Sequence, residues 1–255
     1  MKTIIKAALA TTAFASAFAA APAFADDAKG PITITGSAAL TSEYRLRGIS
    51  QTDTDPAIQA GITITHESGL YIGTWGSNLS GIGSFGGDNL ELDLIGGYSK
   101  AVGPVTLDGG VIYYVYPGTK GFDFAEIYGS VSGKVGPLNA KLGTYWAPDQ
   151  KALAFSKPKG HNIWVYTDWG LPIAGTPVTL KAHGGYSSGT SGYTRGKDVF
   201  DYAVGADFTY KNLTLNLSYI GTDVSRTRSA LWAGGNASGY SVVRGRLVGT
   251  LTAAF

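Results

Sequence analysis

Residues 241–255 read SVVRGRLVGTLTAAF: Val243, Leu247, Leu251, Ala253 and Phe255 share one side of an extended chain, and Arg244, Arg246, Thr250 and Thr252 share the other. A period of two marks a β-strand with one apolar and one polar face. A soluble sandwich alternates in the same way, so the period alone does not place the strand in lipid. Length and charge do. Soluble strands are usually about five or six residues long and turn their apolar face to a core, whereas this one is longer and its opposite face is charged.

Outward from that strand, the alternation recurs in 32–47, 56–66, 70–79, 89–99, 105–116, 124–134, 138–147, 161–169, 178–187, 199–209 and 213–222. In 32–47, Ile32, Ile34, Ala38, Leu40, Tyr44 and Leu46 oppose Thr33, Thr35, Ser37, Glu43, Arg45 and Arg47. In 89–99, Leu90, Leu92, Leu94 and Tyr98 oppose Glu91, Asp93 and Ser99. Between strands, short connections (67–69, 101–104, 135–137, 170–177, 211–212) alternate with longer ones (48–55, 80–88, 117–123, 148–160, 188–198, 223–240). Barrels of the bacterial outer membrane have this asymmetry, with tight periplasmic turns and longer external loops. The expected fold is all-β, a transmembrane antiparallel up-and-down β-barrel of twelve strands.

The ends and the composition agree with export to that membrane. Lys2 and Lys6 precede a small, apolar stretch from Ala7 to Phe18, and Ala23-Phe24-Ala25 forms a cleavage site before Asp26 and Asp27. Residues 1–25 are therefore expected to be a signal peptide, and 26–255 a single outer-membrane barrel domain. No later stretch has the roughly 18 apolar residues of a spanning helix. Removing 1–25 takes away two lysines and no acids, leaving 18 basic against 18 acidic residues, so no basic excess points to nucleic acid. The chain has no cysteine, hence no disulfide framework, and its 37 glycines and 15 tyrosines suit strands joined by many turns. A free terminal aromatic on an alternating strand resembles the assembly signal read by the outer-membrane insertion machinery, which assigns Phe255 that role.

The stretch Ser37–Asn78 resembles the opening of the TorF family of porins. The matching residues are Leu40-Thr41-Ser42-Glu43-Tyr44-Arg45-Leu46-Arg47-Gly48-Ile49-Ser50-Gln51-Thr52, then His66-Glu67-Ser68-Gly69 and Trp75-Gly76-Ser77-Asn78. The resemblance implies a barrel in the outer membrane and a channel for solutes. It carries no catalytic residue and implies no cofactor.

Face parity yields the candidate site. Glu43, Arg45, Arg47, Glu91, Asp93, Glu126, Lys181, His183, Asp201, Arg244 and Arg246 fall on the lumenal side. Barrel closure sets the first strand beside the last, so Arg45, Arg47, Arg244 and Arg246 are expected to form a basic wall facing Glu91, Asp93 and Glu126. Such a bore would orient dipolar solutes. Tyr114, Tyr128, Tyr145, Trp164 and Tyr166 share the lumenal side, while Tyr44, Tyr98, Tyr113, Trp146, Tyr186, Phe200, Tyr202, Phe208, Tyr219 and Phe255 are girdle candidates at the headgroup level.

These features lead to an expected porin-like function, passive or weakly selective diffusion of small hydrophilic solutes and ions, with outer-membrane lipids and lipopolysaccharide as surroundings. The alternatives are a filled structural barrel that binds a partner through its loops, and a surface lipid-modifying enzyme built on His66, His161 or His183. Gly81-Ile82-Gly83-Ser84-Phe85-Gly86 matches a dinucleotide fingerprint without the helix it needs, and Gly185-Tyr186-Ser187-Ser188-Gly189 matches a nucleophile elbow without its strand-to-helix turn. Both are read as coincidences.

Overall fold

A computed structural model describes residues 30–84, 87 and 89–255. The expected signal peptide lies outside them. Twelve strands close into one barrel: β1 (Ile32–Thr41), β4 (Ala57–His66), β5 (Leu70–Asn78), β6 (Leu90–Val102), β7 (Val105–Val115), β8 (Phe124–Val135), β9 (Leu138–Gln150), β10 (Gly160–Pro172), β11 (Val178–Gly189), β12 (Val199–Tyr210), β13 (Leu213–Thr222) and β14 (Arg246–Ala254). Each pairs antiparallel with its chain neighbours, and β14 returns to β1. Two further short strands, β2 (Arg45–Leu46) and β3 (Ile49–Ser50), pair only with each other.

The apolar side of the strands faces outward. Ile34, Ile58, Ile72, Leu94, Val111, Leu142, Val204, Leu217 and Leu247 are all exposed, with Ile58 at 70% and Leu247 at 71%. An apolar surface of this extent, running round a closed barrel, is a surface for lipid rather than water. Tyr98, Tyr113, Trp146, Tyr186, Phe200, Phe208 and Tyr219 sit on it as expected, and Tyr202 is half-buried there.

Phe255 helps to close the cylinder. β1 and β14 pair only over Ser37–Thr41, and the seam is extended at the short-turn end by Phe255, whose N–H donates to Gly36 O (2.9 Å) while Gly36 N–H donates to Phe255 O (2.7 Å). The ring lies against Gly36, where an added Cβ would come within 2.6 Å of it.

Two strands are shorter than the alternation predicts. β1 ends at Thr41, whose hydroxyl donates to Glu43 O (2.9 Å) and turns the chain into the barrel. Arg47 (φ 51°) and Gly48 (φ 75°) are both left-handed, the requirement of a tight two-residue hairpin turn, so β2 and β3 form a ribbon inside the lumen. Tyr44 therefore points into the barrel and is buried, not at the headgroup level. At the other end, β14 begins at Arg246; Val242 and Val243 instead belong to a short helix, α1 (Gly239–Val243), where they pack with Ile49, Val199, Val224 and Trp232. Ser238 caps that helix by accepting from Ser241 N–H (3.2 Å).

Candidate functional site: the lumen

The lumen divides into two halves. At the long-loop end, the ribbon crosses it. Thr41 and every residue from Glu43 to Asp53 are buried, with Ser42 exposed where the chain leaves the wall, although the segment belongs to no barrel strand beyond Thr41. Arg47, at the tip, reaches β8 and grips Glu126 with one nitrogen to both carboxylate oxygens (2.8 and 2.6 Å). Tyr114 donates to the same carboxylate (3.0 Å). The guanidinium also lies over Tyr193 (4.8 Å), Trp164 (5.0 Å) and Tyr145 (5.8 Å). Burial works against the charge of Arg47, but Glu126 outweighs it and holds the pKa above the ordinary arginine value.

The base of the ribbon is tied to the seam. Arg45 pairs with Glu43 (2.8 Å) and donates to the carbonyls of Gly48 (2.8 Å), Arg244 (2.9 Å) and Ser241 (3.3 Å). Burial lowers its pKa despite Glu43. Glu43 also meets Arg246 at 3.4 Å. On the facing wall, Tyr44 donates to Glu91 (3.2 Å) and packs edge-on against Trp75 (5.4 Å). Stacked pairs Tyr114–Phe124 (4.4 Å) and Trp164–Tyr166 (4.5 Å) fill the space around the guanidinium. Glu126 and Phe124 are 0% exposed, Trp164 1% and Asp93 3%.

The middle of the lumen carries a second polar cluster. His183 on β11 bridges Asp168 (Nδ1, 2.6 Å) and Asp201 (Nε2, 2.9 Å), and Trp164 Nε1 donates to Asp201 (2.8 Å). Towards the short-turn end, Lys181 faces Asp207 at 3.9 Å and Asn216 donates to Asp207 (2.6 Å). Tyr71 donates to Asp108 (2.7 Å) and meets Tyr128. Around these, Thr33, Thr35, Thr63, Thr65, Ser132, Asn139, Thr250 and Thr252 line the wall with small polar groups and are only partly covered.

This arrangement corrects the expected charge pattern. Arg244 is exposed on the external loop after α1, outside the lumen. Arg47 has left the basic side entirely and stands against Glu126, while Arg45 and Arg246 share Glu43. Among the described residues no basic wall faces an acidic wall. Neighbouring cations without local acids would repel one another, and the ribbon removes that cost by carrying one of them across the bore.

The histidines lack the geometry of a nucleophilic relay, which needs an acid on one ring nitrogen and the nucleophile on the other. His161 Nδ1 meets both Asp149 (3.1 Å) and Thr190 (3.3 Å), so acid and hydroxyl compete for a single nitrogen. His183 has a carboxylate on each side, and His66 Nδ1 meets Ser68 (2.9 Å) at an exposed turn.

Residues 25–255 match the model of a bacterial protein family of unknown function, Gcw_chp. The chain belongs to that family. Comparison with curated proteins returns no match. Among solved structures, the Gcw_chp chain is similar to the NanC porin (12% identity, TM-score 0.54, 88% of this chain and 99% of that one). It is similar also to the KdgM porin, solved in complex with disordered oligogalacturonate (10% identity, TM-score 0.54, 88% and 99%). At these identities the likeness is one of fold: a closed, porin-type barrel.

Proposed function

We propose that the mature chain, residues 26–255, resides in the bacterial outer membrane as a narrow channel for small hydrophilic solutes and ions, constricted in its external half by the 42–53 ribbon. The observation that carries this reading is the division of the lumen. A barrel filled for stability alone would be packed throughout, whereas here the short-turn half keeps a partly solvated wall of threonine, serine and asparagine below a closed layer. The Leu40–Thr52 resemblance to TorF porins and the porin-type fold support the same reading.

In this mechanism the charges act as pairs rather than as walls. Solutes entering from the periplasmic side meet the Lys181–Asp207 and Asp168–His183–Asp201 groups, then the ribbon. Passage depends on the ribbon moving aside, which requires Arg47 to leave Glu126. Glu91 and Asp93 stand beside the crossing point and favour cations there once it opens. Phe255 serves the insertion machinery during assembly, and lipid with lipopolysaccharide surrounds the apolar belt. No cofactor enters the mechanism.

The near-zero exposure of Phe124, Trp164 and Glu126 favours a second reading, a filled structural barrel. Single-channel recording in planar bilayers separates the two. The channel reading expects small, discrete current steps from the unaltered protein and larger or longer ones from Arg47→Gln. Silence from both, with barrels shown to be inserted and folded, establishes the filled barrel instead.

A further inference from the structure

Above the ribbon, five external loops and the ribbon itself line a half-open cavity of about 260 Å³. Ile49 and Gln51 of the ribbon line it, together with Ile82, Leu153, Phe155 and Trp232. The wall is mostly apolar and aromatic, and Arg195 is the one charged side chain in its lining among the described residues.

Arg195 is built into this position. Its backbone is left-handed (φ 46°), a conformation unfavourable for a side chain of this size. Its Nε donates to Gly192 O (2.9 Å), a second nitrogen donates to Leu231 O, and the guanidinium lies over Phe155 (5.5 Å) and Trp232 (5.3 Å). These contacts fix the plane of the group but engage two of its five donors. No carboxylate of the described residues forms an ion pair with it, in contrast to Arg45, Arg47 and Arg246. Burial lowers its pKa with no compensating acid. A second cation, Arg228, lies on Trp232 at 5.3 Å and adds to the positive field.

From this geometry we infer that the cavity binds a small organic monoanion with an apolar or aromatic body, its carboxylate on the free donors of Arg195 and its body between Phe155, Trp232 and Leu153. The volume sets the size, since at roughly 30 Å³ per water-sized group it takes about nine such groups, close to a single ring bearing a carboxylate. Pinned donors beside flat apolar walls suit an anion that is amphipathic rather than a hydrated inorganic ion. An occupant would touch Ile49 and Gln51, so it would rest directly on the ribbon. Binding does not depend on whether the barrel conducts, and its test is separate from current recording.

The test is calorimetric titration of the folded barrel in lipid nanodiscs with benzoate, benzyl alcohol and benzylammonium. Saturable benzoate binding, at least roughly tenfold tighter than benzyl alcohol and with no benzylammonium binding, is expected from a charge-assisted contact. Arg195→Gln should bring benzoate down to the level of the alcohol, and Ile82→Trp, which fills the cavity without altering charge, should abolish both. Arg244→Gln, an exposed arginine on a neighbouring loop, should change nothing. Heat-modifiable migration on a gel confirms that each variant is folded. Equal affinity for the three compounds, absence of saturation with benzoate, or benzoate binding that survives both Arg195→Gln and Ile82→Trp overturns the assignment.

Discussion

The two halves of the lumen solve different problems with similar strands. In the external half, the bore is crossed by a ribbon whose buried arginine is held by one carboxylate and three aromatic rings. In the periplasmic half, the Lys181–Asp207 pair is buried as well, but the small polar side chains of the surrounding wall, Thr33, Thr63 and Ser132 among them, are only partly covered. Loss of a polar group should therefore be expensive in the first half and cheap at the partly covered wall positions of the second, because water can replace a lost contact only where it has access.

The largest expected effect follows from breaking the ribbon's anchor. Arg47→Gln leaves Glu126 buried with only Tyr114 as a partner and should destabilise the folded barrel by about 3–5 kcal/mol, read as a lower urea midpoint in detergent. Thr63→Ala, on the partly covered wall of the other half, should shift that midpoint far less. Equal shifts would remove the contrast.

The faces of the wall come next. Val204→Arg places a cation in lipid near the middle of β12 and should cost about 2–4 kcal/mol in folding into vesicles. Thr252→Arg, on the lumenal side of the open half, should fold almost normally. The reverse order would mean that the strand register is displaced by one residue.

Gly48→Ala tests the ribbon's tip. The added methyl meets Gly221 O at 2.6 Å in a left-handed turn, so a loss of about 1–3 kcal/mol in thermal or urea stability is expected. The smallest effect belongs to Tyr71→Phe, which removes the hydroxyl shared by Asp108 and Tyr128 in the wetter half; about 1 kcal/mol is expected in the same urea assay.

Much of this contrast was legible in the sequence, and its missing parts have specific causes. Alternation located all twelve barrel strands and set Leu94 outside and Asp93 inside, because lipid and lumen demand opposite chemistry at every second residue. His183 and Asp201 fell inside for the same reason. Alternation could not show that residues 42–50 leave the wall, since β2 is itself extended and keeps the period while running across the bore. That placed Tyr44 at the headgroup level and Arg47 beside Arg45. The signal that would have located the turn is Arg47-Gly48 between Leu46 and Ile49, a glycine in a two-residue hairpin position. Arg244 was misplaced because Val242 and Val243 favour strands by propensity, and only their packing against Trp232 makes them helical. Arg195 carried no periodic signal, because its role depends on loops that meet only in the folded barrel.

The most direct test uses the absence of cysteine from the chain. Single cysteines at Asn139 and Thr252 in the open half, and at Ser77 and Ser187 in the closed half, can be challenged with a small water-soluble thiol reagent in folded barrels. The first two should label rapidly and the last two, now 2% and 1% exposed, should resist, becoming reactive when Arg47→Gln frees the ribbon. Equal labelling at all four sites in the otherwise unaltered barrel would contradict the division of the lumen and the constriction built on it.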